Sequence, residues 1–138
     1  MYHFDDSHAP LYRYRLSGRM TLEDVAALER DLGGVIARAR SYASVIDLSE
    51  LEFPERAVVT EGSRMSRRLS VPIKQIYEQS PAEPNYFTAY VMATRITRLV
   101  TFLHRVASRN IAAPNIFTSV DEATVAAQRA LDRWASPG

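Results

Sequence analysis

The chain has 138 residues, a length typical of one domain, and 46% of them are hydrophobic, which is enough for a packed core and excludes a disordered chain. Its 17 basic and 16 acidic residues nearly cancel, so charge points to neither nucleic acid nor an anionic membrane as a partner. The lack of cysteine excludes disulfides and thiolate chemistry and fits a reducing compartment. Because no apolar run approaches the roughly 20 residues that span a bilayer, and the first residues do not read as a signal peptide, we expect a cytoplasmic protein without membrane insertion.

The first predicted elements form an antiparallel hairpin. Residues 2–4 are a short strand candidate, and residues 5–10 are rich in turn formers. Residues 11–16 then alternate between an apolar face and an arginine face. The two faces are Tyr12, Tyr14 and Leu16 against Arg13 and Arg15. We place this hairpin at a sheet edge, because an edge strand tolerates arginines on its outer face.

A helix is predicted next, since Thr21 can accept hydrogen bonds from the first backbone N–H groups of a helix. Apolar residues then recur at helical spacing. They are Val25, Leu28, Leu32, Val35, Ile36 and Ala39. Gly33 and Gly34 fall inside this helix and each costs about 1 kcal/mol relative to alanine. We interpret the glycine pair as a site of close packing against the sheet.

A buried strand and a second helix are predicted in the middle of the chain. Residues 43–48 are mostly apolar and β-branched in their centre, as in a parallel strand covered on both faces. Pro54 suits the first residue of a helix. The apolar stripe of that helix consists of Val58, Gly62, Met65 and Leu69. Residues 70–84 hold three prolines and are the least regular, with a short strand or turn predicted at 73–77.

The last third of the chain repeats the alternation. Residues 86–93 are a second buried strand, residues 96–107 give the clearest amphipathic helix pattern, and residues 115–118 form a last strand. Ser119 and Glu122 make a capping box for a final helix. Its buried face is Ala123, Ala127, Ala130 and Trp134. Strands separated by helices need crossover connections, so the sequence predicts an α/β fold. We expect a four- to five-stranded, mostly parallel sheet with an antiparallel N-terminal edge hairpin and about four helices, in a single domain over residues 1–138.

Three phrases carry a family resemblance: Leu-Ser-Gly-Arg-Met-Thr-Leu-Glu-Asp at residues 16–24, Val-Ile-Asp-Leu-Ser at 45–49, and Ile-Phe-Thr-Ser-Val-Asp-Glu-Ala at 116–123. In order and spacing they resemble the STAS-like proteins, in particular the SpoIIAA-like branch. The resemblance implies a regulatory or protein-interaction domain, often dimeric. In the phosphorylated branch of that family, a kinase modifies a serine in an Asp-Ser-Ser-Gly stretch just after the Asp-Leu-Ser strand. Here residues 54–57 read Pro-Glu-Arg-Ala, without a hydroxyl, so the resemblance does not extend to that switch.

Five residues are candidates for ligand binding. Asp47 and Ser49 lie at the predicted C-terminal end of a central strand, where open α/β sheets bind ligands. Thr94, Arg95 and Arg98 open a helix directly after a strand, where backbone N–H groups and arginines attract anions. The favoured alternative is structural: Asp47 accepts backbone hydrogen bonds or caps the following turn, and Thr94 is a helix N-cap followed by solvated arginines.

No sequence pattern typical of catalysis is present. There is no nucleophile–base pair, no phosphate-binding loop, and the histidines His3, His8 and His104 lack the spacing of metal ligands, so we predict no catalytic residue, metal or cofactor. The arginines of two predicted helices favour solvated ion pairs over nucleic-acid binding. The sequence therefore predicts a non-enzymatic regulatory or interaction domain that forms a homodimer or binds a protein partner. The alternatives are a module for a small anionic or lipid-like ligand and an enzyme of an unrecognised type.

Overall fold

The computed structural model of the chain describes residues 1–78, 85–92 and 115–135. The elements in chain order are β1 (Tyr2–His8), β2 (Leu11–Leu16), α1 (Leu22–Ala37), β3 (Tyr42–Asp47), α2 (Arg56–Ile73) with a following π-helical turn (Lys74–Glu78), β4 (Tyr86–Val91), β5 (Asn115–Phe117) and α3 (Val120–Ala135). The described residues thus contain three α-helices, where the sequence predicts about four. The helix predicted over residues 96–107 lies outside the described residues.

The five strands form one sheet in the order β1-β2-β3-β4-β5. β1 and β2 are antiparallel, whereas each later pair of neighbours is parallel. This confirms the predicted α/β fold with an antiparallel N-terminal edge hairpin. Because β2 to β5 run in one direction, their C-terminal ends share one edge of the sheet and their N-terminal ends share the opposite edge.

Helices cover both faces of the sheet, and the alternation predicted for β2 is confirmed. Tyr12, Tyr14 and Leu16 are buried in a core with apolar residues of α1 and α2. Successive strand residues point to opposite faces, so Leu11 belongs instead to the core on the α3 side. That second core is built from small side chains: Ala43, Val45, Ala89, Val91, Ala123 and Ala127.

The first helix begins as the sequence predicts. The Thr21 hydroxyl accepts the Asp24 backbone N–H at 3.1 Å, and the Asp24 carboxylate accepts the Thr21 backbone N–H at 3.0 Å. This capping box satisfies two backbone donors that would otherwise lack partners. Its glycines differ from prediction. Gly33 faces Leu69 of α2, 3.9 Å from where a Cβ would be, and Gly34 has no atom within 4 Å of that position. The interpretation of close packing against the sheet is therefore wrong.

The N-terminal hairpin is longer than predicted. β1 continues through residues 5–8, which the composition assigned to a turn, so that only Ala9 and Pro10 separate it from β2. The pairing register shifts between Asp5 and His8, where β1 has one residue more than β2. Within this bulge the Asp5 carboxylate accepts the Ser7 backbone N–H at 2.9 Å. A bulge accommodates turn-forming residues within a strand, which explains the error.

Both ends of α2 also differ from the predicted ones. The helix begins at Arg56, two residues after Pro54, and it continues through Pro72 into the π-helical turn. A proline leaves the carbonyl four residues earlier without its helical donor, and this cost argued for an earlier end. Ile73 and Ile76 pack against the core beyond the proline. Tertiary packing thus outweighs the local penalty, and the strand or turn predicted at 73–77 is wrong.

Candidate functional site

The C-terminal ends of the parallel strands carry the two candidate site residues that the structure describes. Asp47 ends β3, and its Oδ1 accepts two hydrogen bonds from Ser49, one from the backbone N–H at 3.0 Å and one from the hydroxyl at 2.6 Å. The pair therefore closes a local turn, as in the structural interpretation of Asp47. A ligand-binding role for Asp47 and Ser49 stays a prediction.

The other three candidates, Thr94, Arg95 and Arg98, lie outside the described residues. The chain is described up to Met92, whose backbone N–H donates to the Phe117 carbonyl at 3.3 Å at the same edge of the sheet. The anion site predicted from these residues remains a prediction.

A backbone bridge that the sequence did not predict joins two connections at this edge. The Gly18 N–H donates to the Glu50 carbonyl at 2.9 Å, and the Gly18 carbonyl accepts the Glu52 N–H at 3.0 Å. Gly18 has a φ of +63°, in the left-handed region that glycine adopts without strain. The β2–α1 connection is thereby held beside the β3–α2 connection. We call residues 15–22 and 47–55 together the strand-end rim.

Two ion pairs reinforce the rim. Arg15 pairs with Glu50 at 2.7 Å, and Arg19 pairs with Glu55, the N-cap residue of α2. All four side chains are exposed, so each pair contributes at most about 1 kcal/mol to stability. Their main consequence is to orient charged groups at the surface between the two connections.

Exposed apolar side chains lie beside these pairs. The Phe53 side chain is 65% exposed although its neighbour Pro54 is buried, and Leu22 is 54% exposed at the first turn of α1. Met1 is exposed at the same edge, where its backbone carbonyl accepts the Ser17 N–H at 2.8 Å. Half of the six exposed large apolar residues in the described part of the chain thus lie at or next to the rim. Single exposed apolar residues are ordinary, but a cluster on a fixed backbone is typical of an interaction surface.

The rim has a net negative charge. Its acids are Asp47, Glu50, Glu52 and Glu55, and its basic residues are Arg15 and Arg19, which gives four minus two, or a formal charge of −2. This charge disfavours a small anion at the rim itself. The chemistry of the surface therefore suits an apolar group with basic neighbours.

Neither a metal site nor a membrane span is found in the described ranges. Within residues 1–78, 85–92 and 115–135, no three histidine, aspartate or glutamate side chains are grouped as a metal would require. The helices of this same part of the chain are too short or too polar to cross a bilayer.

Comparisons with known proteins concern the fold. No protein-family model matches the sequence, and no curated protein matches it significantly. Among solved structures, SpoIIAA in its unphosphorylated form, an anti-sigma factor antagonist, is similar with a TM-score of 0.58 at 12% identity, over 99% of this chain and 100% of that one. A protein of the DUF3478 family from Shewanella loihica PV-4, with a SpoIIAA-like fold, has a TM-score of 0.56 at 14% identity over 92% of each chain. An anti-sigma factor antagonist from Mycobacterium paratuberculosis has a TM-score of 0.50 at 23% identity over 93% of each chain. At these identities the likeness concerns architecture, and the chain has the SpoIIAA-like fold that its three sequence phrases predict.

Proposed function

We propose that the chain is a non-enzymatic regulatory domain of the cytoplasm that acts by binding another protein through the strand-end rim. The observation that carries the proposal is the exposed Phe53, presented on a backbone that the Gly18 bridge holds in place. A large aromatic side chain on a pre-ordered backbone loses little conformational entropy on binding, which is why such residues dominate interfaces.

Similarity to two anti-sigma factor antagonists supports this class of function. By their names, these proteins act by opposing another protein. The fold alone does not transfer the identity of a partner, so the proposal rests on the rim and not on the names.

The charge of the rim selects among partners. Two copies of this chain that met rim to rim would bring two surfaces of formal charge −2 together, which opposes association. We therefore propose a different protein as the partner, with an apolar pocket for Phe53 and basic residues around it. The homodimer predicted from the family resemblance would then form through another surface, and sedimentation equilibrium would measure it.

The proposal is tested with Phe53→Ala and with Val125→Ala as the matched control, since Val125 is 50% exposed on α3, away from the rim. Proteins retained from host lysate by the wild-type chain are identified, purified and titrated against each variant by calorimetry. We expect Phe53→Ala to weaken the Kd at least about tenfold, the factor that corresponds to about 1.4 kcal/mol. Val125→Ala should leave the Kd unchanged. If Phe53→Ala binds every purified partner as tightly as the wild type, the rim is not the interface.

A further inference from the structure

A cleft of about 540 Å³ lies at the edge of the sheet opposite the rim. His8 and Pro10, at the turn between β1 and β2, line one side, and Ser41, just before β3, lines its base. The last two turns of α3 close the other side with Gln128 and Trp134. Its volume falls within the range of small-molecule sites. None of the residues in the strand-end rim lines it, so this cleft is independent of the proposed function.

An aromatic surface and a carboxylate meet in this cleft. Trp134 is the single tryptophan of the chain and is half-buried where it lines the cleft. Asp132 lines the same wall, and it is the only acidic residue among the lining residues, which include no lysine or arginine. The Gln128 side-chain amide donates to Asp132 Oδ1 at 3.0 Å, one helical turn away, and so orients the carboxylate.

The charge of Asp132 is not neutralised by a basic side chain of the described residues, whose ion pairs do not include it. The cleft also lies at the C-terminal end of α3, the negative end of the helix dipole, which favours a positive charge. The indole face adds a further attraction for cations, strongest for tryptophan among the aromatic residues. An anion would meet the Asp132 charge, and a neutral polyol would make no use of it.

From this geometry we infer that the cleft is a binding site for a small organic cation, an alkylammonium group whose charge faces Asp132 and whose methyl or methylene groups lie on Trp134. The site is open to solvent on one side, which leaves part of the cation hydrated. Binding is therefore weak, with a Kd on the order of 1 mM for the smallest such cation.

Tetramethylammonium is the probe, and the full chain carries its own reporter. A single tryptophan gives a single indole N–H resonance in a ¹H–¹⁵N spectrum, which belongs to Trp134. We expect tetramethylammonium chloride to shift this resonance saturably, whereas sodium chloride at equal ionic strength should not. Tert-butanol has similar size and shape without the charge, and glucose is a neutral polyol. Both should bind at least about tenfold more weakly than the cation.

Two variants on α3 assign the effect to the carboxylate. Asp132→Asn removes the charge in the cleft, and Asp121→Asn makes the same change at the first turn of the same helix. We expect the Kd for tetramethylammonium to rise at least fivefold in Asp132→Asn and to stay within error in Asp121→Asn, with circular dichroism showing that both remain folded. The inference is overturned if no saturable shift occurs, if tert-butanol or glucose matches the cation, or if Asp132→Asn binds as the wild type does.

Discussion

Gly18 and Gly34 show how the same residue type serves opposite roles at two positions. Gly18 has a φ of +63° and neither of its would-be Cβ contacts lies within 4 Å, so its requirement is one of backbone conformation alone. Gly34 lies inside α1 with no neighbour within 4 Å of a would-be Cβ and with no positive φ. The sequence flagged both glycines but could not separate a conformational need from an unfilled helix surface.

Alanine substitution should therefore change stability in opposite directions at the two glycines. We expect Gly18→Ala to lower the free energy of unfolding by about 1 kcal/mol or more, because an L-residue is strained in the left-handed region. Gly34→Ala should raise it by about 1 kcal/mol, the difference in helix propensity. Urea denaturation measures both. Equal effects of the two substitutions would contradict the backbone conformation assigned to Gly18.

Two tyrosine hydroxyls give a second contrast at the residue scale. The Tyr2 hydroxyl donates to Asp31 Oδ2 at 2.7 Å, and burial together with this carboxylate raises the Tyr2 pKa well above its usual range. Burial also raises the pKa of Tyr14, an effect that the nearby Ser44 hydroxyl partly offsets. However, neither the Tyr14 nor the Ser44 hydroxyl meets the geometry of a hydrogen bond.

Phenylalanine substitution should separate these two hydroxyls. Tyr2→Phe removes a hydrogen bond to a charged group and should lower the free energy of unfolding by about 1.5 kcal/mol. Tyr14→Phe removes a buried polar group that has no partner, so the free energy of unfolding should stay equal or rise. Chemical denaturation checks both, and a loss for Tyr14→Phe as large as that for Tyr2→Phe would mean that the Tyr14 hydroxyl has a partner in solution.

At the scale of elements, one arginine ties α1 to α2. Arg68 donates from Nε to Glu29 Oε2 at 2.8 Å and from Nη2 to Glu29 Oε1 at 2.6 Å, and Nη2 also donates to Glu61 at 2.8 Å. These hydrogen bonds hold the pKa of Glu29 below its ordinary value of 4.5. A bidentate pair of this kind fixes the orientation of two helices more than it adds to stability at an exposed position.

This tie should appear as a loss of stability in acid. Because the folded state favours the Glu29 carboxylate, its contribution is present above about pH 4.5 and is lost as the pH falls through the depressed pKa. We expect Glu29→Gln to be less stable than the wild type at pH 7 and to approach it at pH 3. Thermal unfolding across this pH range provides the measurement, with Glu52→Gln, an exposed acid outside these ion pairs, as the control. A difference between Glu29→Gln and wild type that does not shrink in acid would contradict the assigned pKa direction.

Elements set by local signals were predicted well, and those set by tertiary packing were not. The start of α1 follows from Thr21 and Asp24, which are three residues apart and cap the helix by themselves. The continuation of α2 through Pro72 depends on Ile73 and Ile76 reaching the core, which no local pattern reveals. The length of β1 depends on a bulge that forms only when β2 pairs with it.

For the whole molecule, the order of strands and helices was predictable and the two surface sites were not. Crossover connections between apolar strands imply a parallel sheet, so the architecture follows from the sequence. The rim depends on Gly18 meeting the chain near Leu51, and the cleft depends on His8 meeting Trp134 from the other end of the chain. Contacts between residues so distant in sequence are set by the assembled sheet. Of the predicted site residues, Asp47 and Ser49 lie in the rim, although the features that give it its character are Phe53 and the Gly18 bridge.

The rim and the cleft should act independently, because they lie at opposite ends of the parallel strands. β3 leads from Ser41 at the cleft to Asp47 at the rim, six residue steps of about 3.3 Å, or about 20 Å. Coupling over that distance would need an element with two arrangements that both ligands influence. β3 instead pairs with β2 and β4 along its whole length and is buried on both faces. We therefore expect Phe53→Ala to leave the Kd for tetramethylammonium unchanged when it is followed by the Trp134 resonance. A change of threefold or more in that Kd, in a variant whose spectrum is otherwise that of the wild type, would show that the sheet transmits the state of one edge to the other.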